Sequence, residues 1–196
     1  MKRESTETRQ AQIKQAVLDI IYADGLKNLS TRNLAKRIGM SEATIFRHFA
    51  SKQEIVLAII KDVKHDFIDA LKEIAYSKSA PEDKLKLFLC KTVKYLTENK
   101  GITMLMFSEA SHNNDSELKN ILNQIFNSQK NLVCKIFAEG IADEIWDKNI
   151  PTENLAMLYM GIPVSLNIEL ILNNGVFHMD NFCNKMMSLL LKILQV

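Results

Sequence analysis

The sequence predicts an all-α protein of about nine helices, a small three-helix module at the N-terminus followed by a larger helical domain. Apolar residues recur at three- and four-residue spacing along most of the chain and nowhere alternate with period two. Only six Gly and three Pro interrupt 196 residues, and all five arginines fall in the first 47. At this length one sizeable core and a small satellite can be buried, and the predicted division is 1–53 and 54–196.

The first helix spans Thr6 to Asp24, with Ile13, Ala16, Val17, Ile20 and Ile21 on one face and Gly25 closing it. Ser30 caps a second helix of about two turns, whose apolar stripe is Leu34, Ala35 and Ile38. Gly39 and Met40 turn the chain, and Ser41 caps a third helix through His48, ended by Phe49 and Ala50. Ser51 and Glu54 have the spacing of a capping box for a fourth helix, which keeps its pattern through Ile55, Ala58, Ile59, Val63, Phe67, Ile68 and Leu71 as a long connector. Beyond Pro81 the predicted helices are Leu85–Leu96, Ile102–Ala110, Leu118–Ala138, Leu155–Leu172 and Phe182–Leu194, with Pro163 inside the fourth of these. No repeat or low-complexity tract is present.

Composition excludes several classes. No uninterrupted apolar run reaches the roughly 18 residues of a membrane span, and Met1 to Ser5 leads into polar sequence, so a cytoplasmic protein is expected. Cys90, Cys134 and Cys183 are odd in number and widely spaced, which suits reduced, buried thiols rather than disulfides or zinc. His65, His112 and His178 lack ligand-like spacing with acids or thiols, so neither metal nor cofactor is expected. No nucleophile–base pair, carboxylate cluster or phosphate loop points to an enzyme.

The overall charge of +2 divides unevenly. Residues 1–53 carry ten Lys/Arg against five acids, whereas 54–196 carry 15 against 18. Guanidinium forks suit phosphates and guanine edges, so the asymmetry points to nucleic acid; a solvated charged face is the blander alternative. The spacing of Ala35, Gly39 and Ile45 sharpens the first reading. A small residue permits close helix approach, glycine accepts the left-handed turn, and Ile45 fills the angle beside Leu34, Ile38 and Met40. These are the requirements of a helix-turn-helix that holds its second helix out for the major groove.

The run Leu29-Ser30-Thr31-Arg32-Asn33-Leu34-Ala35-Lys36-Arg37-Ile38-Gly39-Met40-Ser41-Glu42-Ala43-Thr44-Ile45-Phe46-Arg47-His48-Phe49, followed by Ser51-Lys52, resembles the N-terminal signature of the TetR/AcrR family of transcriptional regulators. The match covers about 55 residues; beyond them only length and helical pattern agree. Ala43 stands where the family usually has Gly, and Phe46 where it usually has Tyr, which removes a hydroxyl directed to phosphate.

Ser41, Glu42, Ala43 and Thr44 open the reading helix and face base edges: Thr44 suits a thymine methyl or a phosphate, Glu42 a cytosine amine. The resemblance implies phosphate contacts for Arg47, His48 and Lys52, with packing against the helix pair as the other reading of His48. Thr31 and Arg32 open the preceding helix, where amide dipoles favour a phosphate, and Phe46 packs against the sugar-phosphate backbone.

For the remainder, the resemblance implies a helical ligand-binding and dimerisation domain. Candidate lining residues are Phe67, Phe88, Thr92, Tyr95, Met104, Phe107, Ser108, Ile125, Tyr159 and Pro163, with ordinary core packing as the alternative for each. With no arginine in this part, a neutral lipophilic or cationic small-molecule effector is expected, Glu109 or Glu169 being possible counter-charges. The dimer interface is expected on the last two helices, at Leu155, Leu158, Ile162, Leu166, Leu170, Met186, Leu189, Leu190 and Ile193. A single short reading helix contacts few bases, so a homodimer on palindromic double-stranded DNA is the economical arrangement, as a ligand-released repressor. The alternative is an architectural or cell-cycle DNA-binding factor of the same fold that answers a protein partner.

Overall fold

A computed structural model describes residues 5–112, 116–173 and 181–194. The described residues are helical with no strand. The elements are α1 (Thr6–Asp24), α2 (Thr31–Ile38), α3 (Glu42–Phe46), α4 (Lys52–Asp62), α5 (Ile68–Ala75), α6 (Pro81–Glu98), α7 (Ile102–His112), α8 (Ser116–Ala142), α9 (Thr152–Leu172) and α10 (Phe182–Leu194). A π-wound turn, Val63–Phe67, joins α4 to α5 in one continuous helix, so nine helices result among the described residues.

Serine starts the first four helices. Ser5, Ser30, Ser41 and Ser51 each accept from the backbone N–H three residues on, at Thr8, Asn33, Thr44 and Glu54. Each bond satisfies a donor that the helix start leaves free. Glu54 completes the expected capping box one residue early, its carboxylate accepting from the Ala50 N–H. Gly39 ends α2 in the left-handed region at φ 65°, ψ 32°, as the tight turn requires.

The π turn has a cause in the sequence. Ile59, Val63, Phe67, Leu71 and Ala75 are all buried and lie four residues apart. In an α-helix of 3.6 residues per turn each such step drifts by about 40°. Five residues of wider winding absorb part of that drift, which the uniform connector predicted from sequence did not allow for.

The chain forms two compact units, Met1–His65 with Glu98–Asn123, and Asp66–Thr97 with Gln124–Val196. In the first, α1 packs on α2, α4 and α7, and α2 on α3. Its core is Ile13, Val17, Ile20, Ile21, Leu34, Ile45, Phe49 and Ile55, all buried. Gly101 lets α7 meet α1: a Cβ there would stand 2.5 Å from the Leu18 carbonyl oxygen, and its φ is +87°. Lys14 pairs with Asp62, tying α1 to α4.

In the second unit Tyr159 is the centre, 1% exposed, edge-on to Phe88 and to Phe137 at 6.1 Å from each. Trp146 packs on Phe137 at 5.6 Å. The Tyr159 hydroxyl donates to the Leu85 carbonyl at 2.5 Å. Lys84, also buried, pairs with Glu139 at 2.7 Å, and Glu139 takes Lys135 as well. Among the described residues α9 alone is long and apolar enough to cross a bilayer by length and composition, with a third of its most apolar window buried, although polar residues such as Ser165 and Asn167 interrupt it.

Candidate functional site

The first unit displays most of the expected DNA-reading residues on α2, α3 and the start of α4. Arg32, Ser41, Ala43, Arg47 and Lys52 are exposed, and Phe46 is 47% exposed. The helix holding them is short, so local bonds fix it. The Ser41 and Thr44 hydroxyls are 2.8 Å apart, and Arg47 donates to Thr44 Oγ1 at 3.2 Å. Arg47 is therefore pre-positioned alongside the helix rather than extended into solvent.

Thr31 and Gln10 make bonds that their sequence positions did not foretell, and His48 fits the packed one of its two expected readings. The Thr31 hydroxyl donates to Glu42 Oε2 at 2.6 Å, so in the DNA-free protein it is engaged by a carboxylate rather than free for a phosphate. His48 is half-buried, with Nδ1 enclosed and without a partner among the described residues. Its backbone carbonyl accepts from Gln10 Nε2 at 3.1 Å, which anchors the end of α3 on α1. Gln10, 38 residues distant, carries no sequence signal for this role. Arg37 is held by Asp24 at 2.5 Å. Arg3 lies outside the described residues.

The expected ligand-lining residues divide between the units. Phe67, Phe88, Thr92, Tyr95, Ile125, Tyr159 and Pro163 belong to the second, and Met104, Phe107 and Ser108 to the first. Within the second unit Phe67 stacks on Tyr95 at 4.3 Å, and Phe88 meets Tyr159 edge-on. Thr92 is buried, its hydroxyl donating to the Phe88 carbonyl at 2.9 Å. Phe107 departs from the expected enclosed position, being 56% exposed. Phe137 and Trp146, absent from the sequence-derived set, complete the aromatic cluster.

The three thiols are half-buried rather than fully buried. Burial, reinforced by the neighbouring Cys90 side chain, pushes Cys183 up to about 12, and burial raises Cys134 too. Both are protonated at neutral pH and weak as nucleophiles. Burial, with Cys90 and Cys183 nearby, also raises the Tyr159 phenol well above its usual range, consistent with a hydroxyl that serves as a donor. His178 lies outside the described residues; among the described ones no group of His, Cys, Asp and Glu is placed to hold a metal.

The residues expected at a dimer interface separate by side. Leu158, Leu189 and Ile193 are exposed; Ile162, Leu170 and Met186 are half-buried. Leu155, Leu166 and Leu190 turn instead into the chain's own core and leave no exposed surface, which corrects the expectation that they face outward. On α9, Met157, Val164, Ile168 and Leu172 are exposed at i, i+7, i+11 and i+15, and therefore along one face.

A short helix capped at Ser41, a glycine turn and a fringe of exposed arginine, lysine and aromatic side chains define a helix-turn-helix DNA-binding regulator. Residues 15–59 match the family of bacterial regulatory proteins of the tetR type, and residues 60–193 match the YsiA-like protein C-terminal region. The chain belongs to the TetR family of transcriptional regulators, which are DNA-binding factors rather than enzymes. It is 26% identical over 130 residues to the fatty acid metabolism regulator protein of Bacillus subtilis (strain 168), a stretch covering 66% of each chain. It is also 26% identical over 126 residues to the nucleoid occlusion factor SlmA of Yersinia enterocolitica, covering 64% of each. The matched stretches thus span just under two thirds of these relatives. Among solved structures, the transcriptional regulator FadR from Bacillus subtilis in complex with stearoyl-CoA aligns at a TM-score of 0.71 and 21% identity, over 92% of this chain and 97% of that one. The fatty acid degradation regulator FadR from Bacillus halodurans aligns at 0.76 and 17%, over 97% of each. These likenesses establish the fold.

Proposed function

We propose that the chain is a cytoplasmic homodimeric repressor that binds a palindromic operator through residues 1–53 and is released when residues 54–196 take up a small lipophilic ligand. The observation that carries the dimer is the exposed apolar face of α9 and α10, in which Leu172 is 76% exposed and Ile168, Leu189 and Ile193 about half or more. Exposed apolar residues recurring along one side of a helix are unfavourable in water and suit a self-complementary partner. Such a partner also accounts for the apolar length of α9 without a bilayer.

The ligand class follows from the aromatic interior of the second unit and from the relatives. A fatty acid regulator and a stearoyl-CoA-bound neighbour are both similar to this chain, and the apolar side chains of Phe67, Phe88, Tyr95 and Tyr159 are of the kind that suits a long acyl chain. We therefore take a long-chain acyl thioester as the effector. With no arginine after residue 47, the phosphates of such a ligand fall to lysines or to solvent.

The test uses purified protein on DNA recovered from its own selection. Stearoyl-CoA should release the DNA, whereas coenzyme A alone should not; Leu158→Glu/Ile168→Glu should sediment as a helical monomer with weakened operator binding. DNA binding indifferent to acyl-CoA and spread over many sites would favour the second reading, a nucleoid-associated factor, for which the similarity to SlmA is the supporting observation.

A further inference from the structure

The contact between Thr31 and Glu42 joins the first residue of α2 to the first residue of α3, eleven positions apart, and is the shortest link between the two helices of the reading motif for which a side-chain bond is recorded. We propose that the pair is a single base-reading unit: the Thr31 hydroxyl holds one Glu42 carboxylate oxygen so that the other accepts from the exocyclic amine of a cytosine in the major groove. This inference rests on the DNA-binding role stated above and adds a specificity residue, Glu42, and a positioning residue, Thr31.

The argument begins with what Glu42 is free to do. A carboxylate only accepts hydrogen bonds, and it has two oxygens to accept with. Thr31 uses Oε2, which fixes the plane of the group and leaves Oε1 as the acceptor for something else. The other polar side chains at this end of α3 are already committed to each other, Thr44 lying between Ser41 and Arg47. Glu42 is half-buried beside the exposed Ala43, whose small side chain leaves the approach open.

Charge sharpens the point. Arg32, Arg47 and Lys52 are exposed cations expected to meet phosphate, and an acid among them opposes general DNA affinity. An acid held rigidly there acts by selection. Guanine presents only acceptors in the major groove, at N7 and O6, and thymine presents O4; each repels a carboxylate. Adenine offers an amine but sets the N7 acceptor beside it. Cytosine presents its N4 amine alone, and is the base a carboxylate tolerates best.

Parallel selections from randomised duplex DNA test this with the full-length wild-type chain, Glu42→Gln, Thr31→Val and Thr31→Ser. Wild type should fix cytosine at one position in each half-site. Glu42→Gln should move that position to adenine, because an amide both accepts from N6 and donates to N7. Thr31→Val, which keeps the side-chain shape and loses the hydroxyl, should lower the cytosine preference about tenfold while affinity for unrelated DNA holds. Thr31→Ser should restore it, which a purely structural role for the methyl-bearing side chain does not predict. If wild type yields a motif and both Glu42→Gln and Thr31→Val yield the same motif, the inference is overturned and the DNA-binding reading stands. If wild type yields no motif, both fall together.

Discussion

Gly140 lies where a Cβ would stand 2.2 Å from the ring of Trp146, in the middle of the aromatic packing around Phe137 and Tyr159. An indole in a packed core has little room to retreat, so Gly140→Ala should cost about 2 kcal/mol, read as a lowered urea midpoint. Lys84 sets a second residue-scale test. Its ammonium is buried with Glu139 as its counter-charge, and Glu139 keeps Lys135 if Lys84 is lost. Removing the acid strands a buried charge; removing Lys84 does not. Glu139→Leu should therefore destabilise by about 3 kcal/mol, and Lys84→Met by well under half of that. The pH dependence has a definite sign. Burial raises the Glu139 carboxyl, but hydrogen bonds and charge from Lys135 and Lys84 outweigh it and hold it below the usual 4.5. Its contribution is present above that value and is lost as pH falls through the depressed one, so Glu139→Gln should flatten the acid limb of the stability profile.

At the scale of elements, what was legible in the sequence was what is local. Ser30, Ser41 and Ser51 each cap by a bond to the residue three positions on, so the starts of α2, α3 and α4 follow from spacing alone. Cap loss should be correspondingly direct: Ser41→Ala, on a helix of only five residues, should cost about 1 kcal/mol and weaken DNA binding with it. Links between distant residues left no pattern to read. Thr31 to Glu42, Gln10 to His48, Lys84 to Glu139 and Tyr159 to Leu85 join positions 11, 38, 55 and 74 apart. The orientation of α9 was hidden for another reason. It is apolar on nearly every side, so periodicity could not separate Leu155 and Leu166, which are core, from Ile168 and Leu172, which are surface. On α10 the same ambiguity misplaced only Leu190, since Met187, Leu190 and Leu194 form one inward stripe against outward Leu189 and Ile193. The π turn had a signal, the four-residue recurrence from Ile59 to Ala75, although a period of four is easily read as helix without its winding being asked about.

For the molecule as a whole, the separation of charge is the property that organises function. Arginine is confined to the part that carries the reading helix, and the larger part, net acidic and arginine-free, supplies the apolar interior and the apolar face. A protein so arranged should bind DNA with a salt dependence set by a few identifiable side chains. Each phosphate contact contributes roughly 0.9 to the slope of log K against log salt. The most direct test of the central claim is selection of bound sequences from a random DNA pool at two salt concentrations, with Arg47→Ala/Lys52→Ala alongside the wild type. The account predicts a palindrome enriched by the wild type, and binding by the double variant that is weak and shallower in its salt dependence by about two contacts. Recovery of no motif by the wild type, or equal recovery and equal slope for the variant, would contradict it.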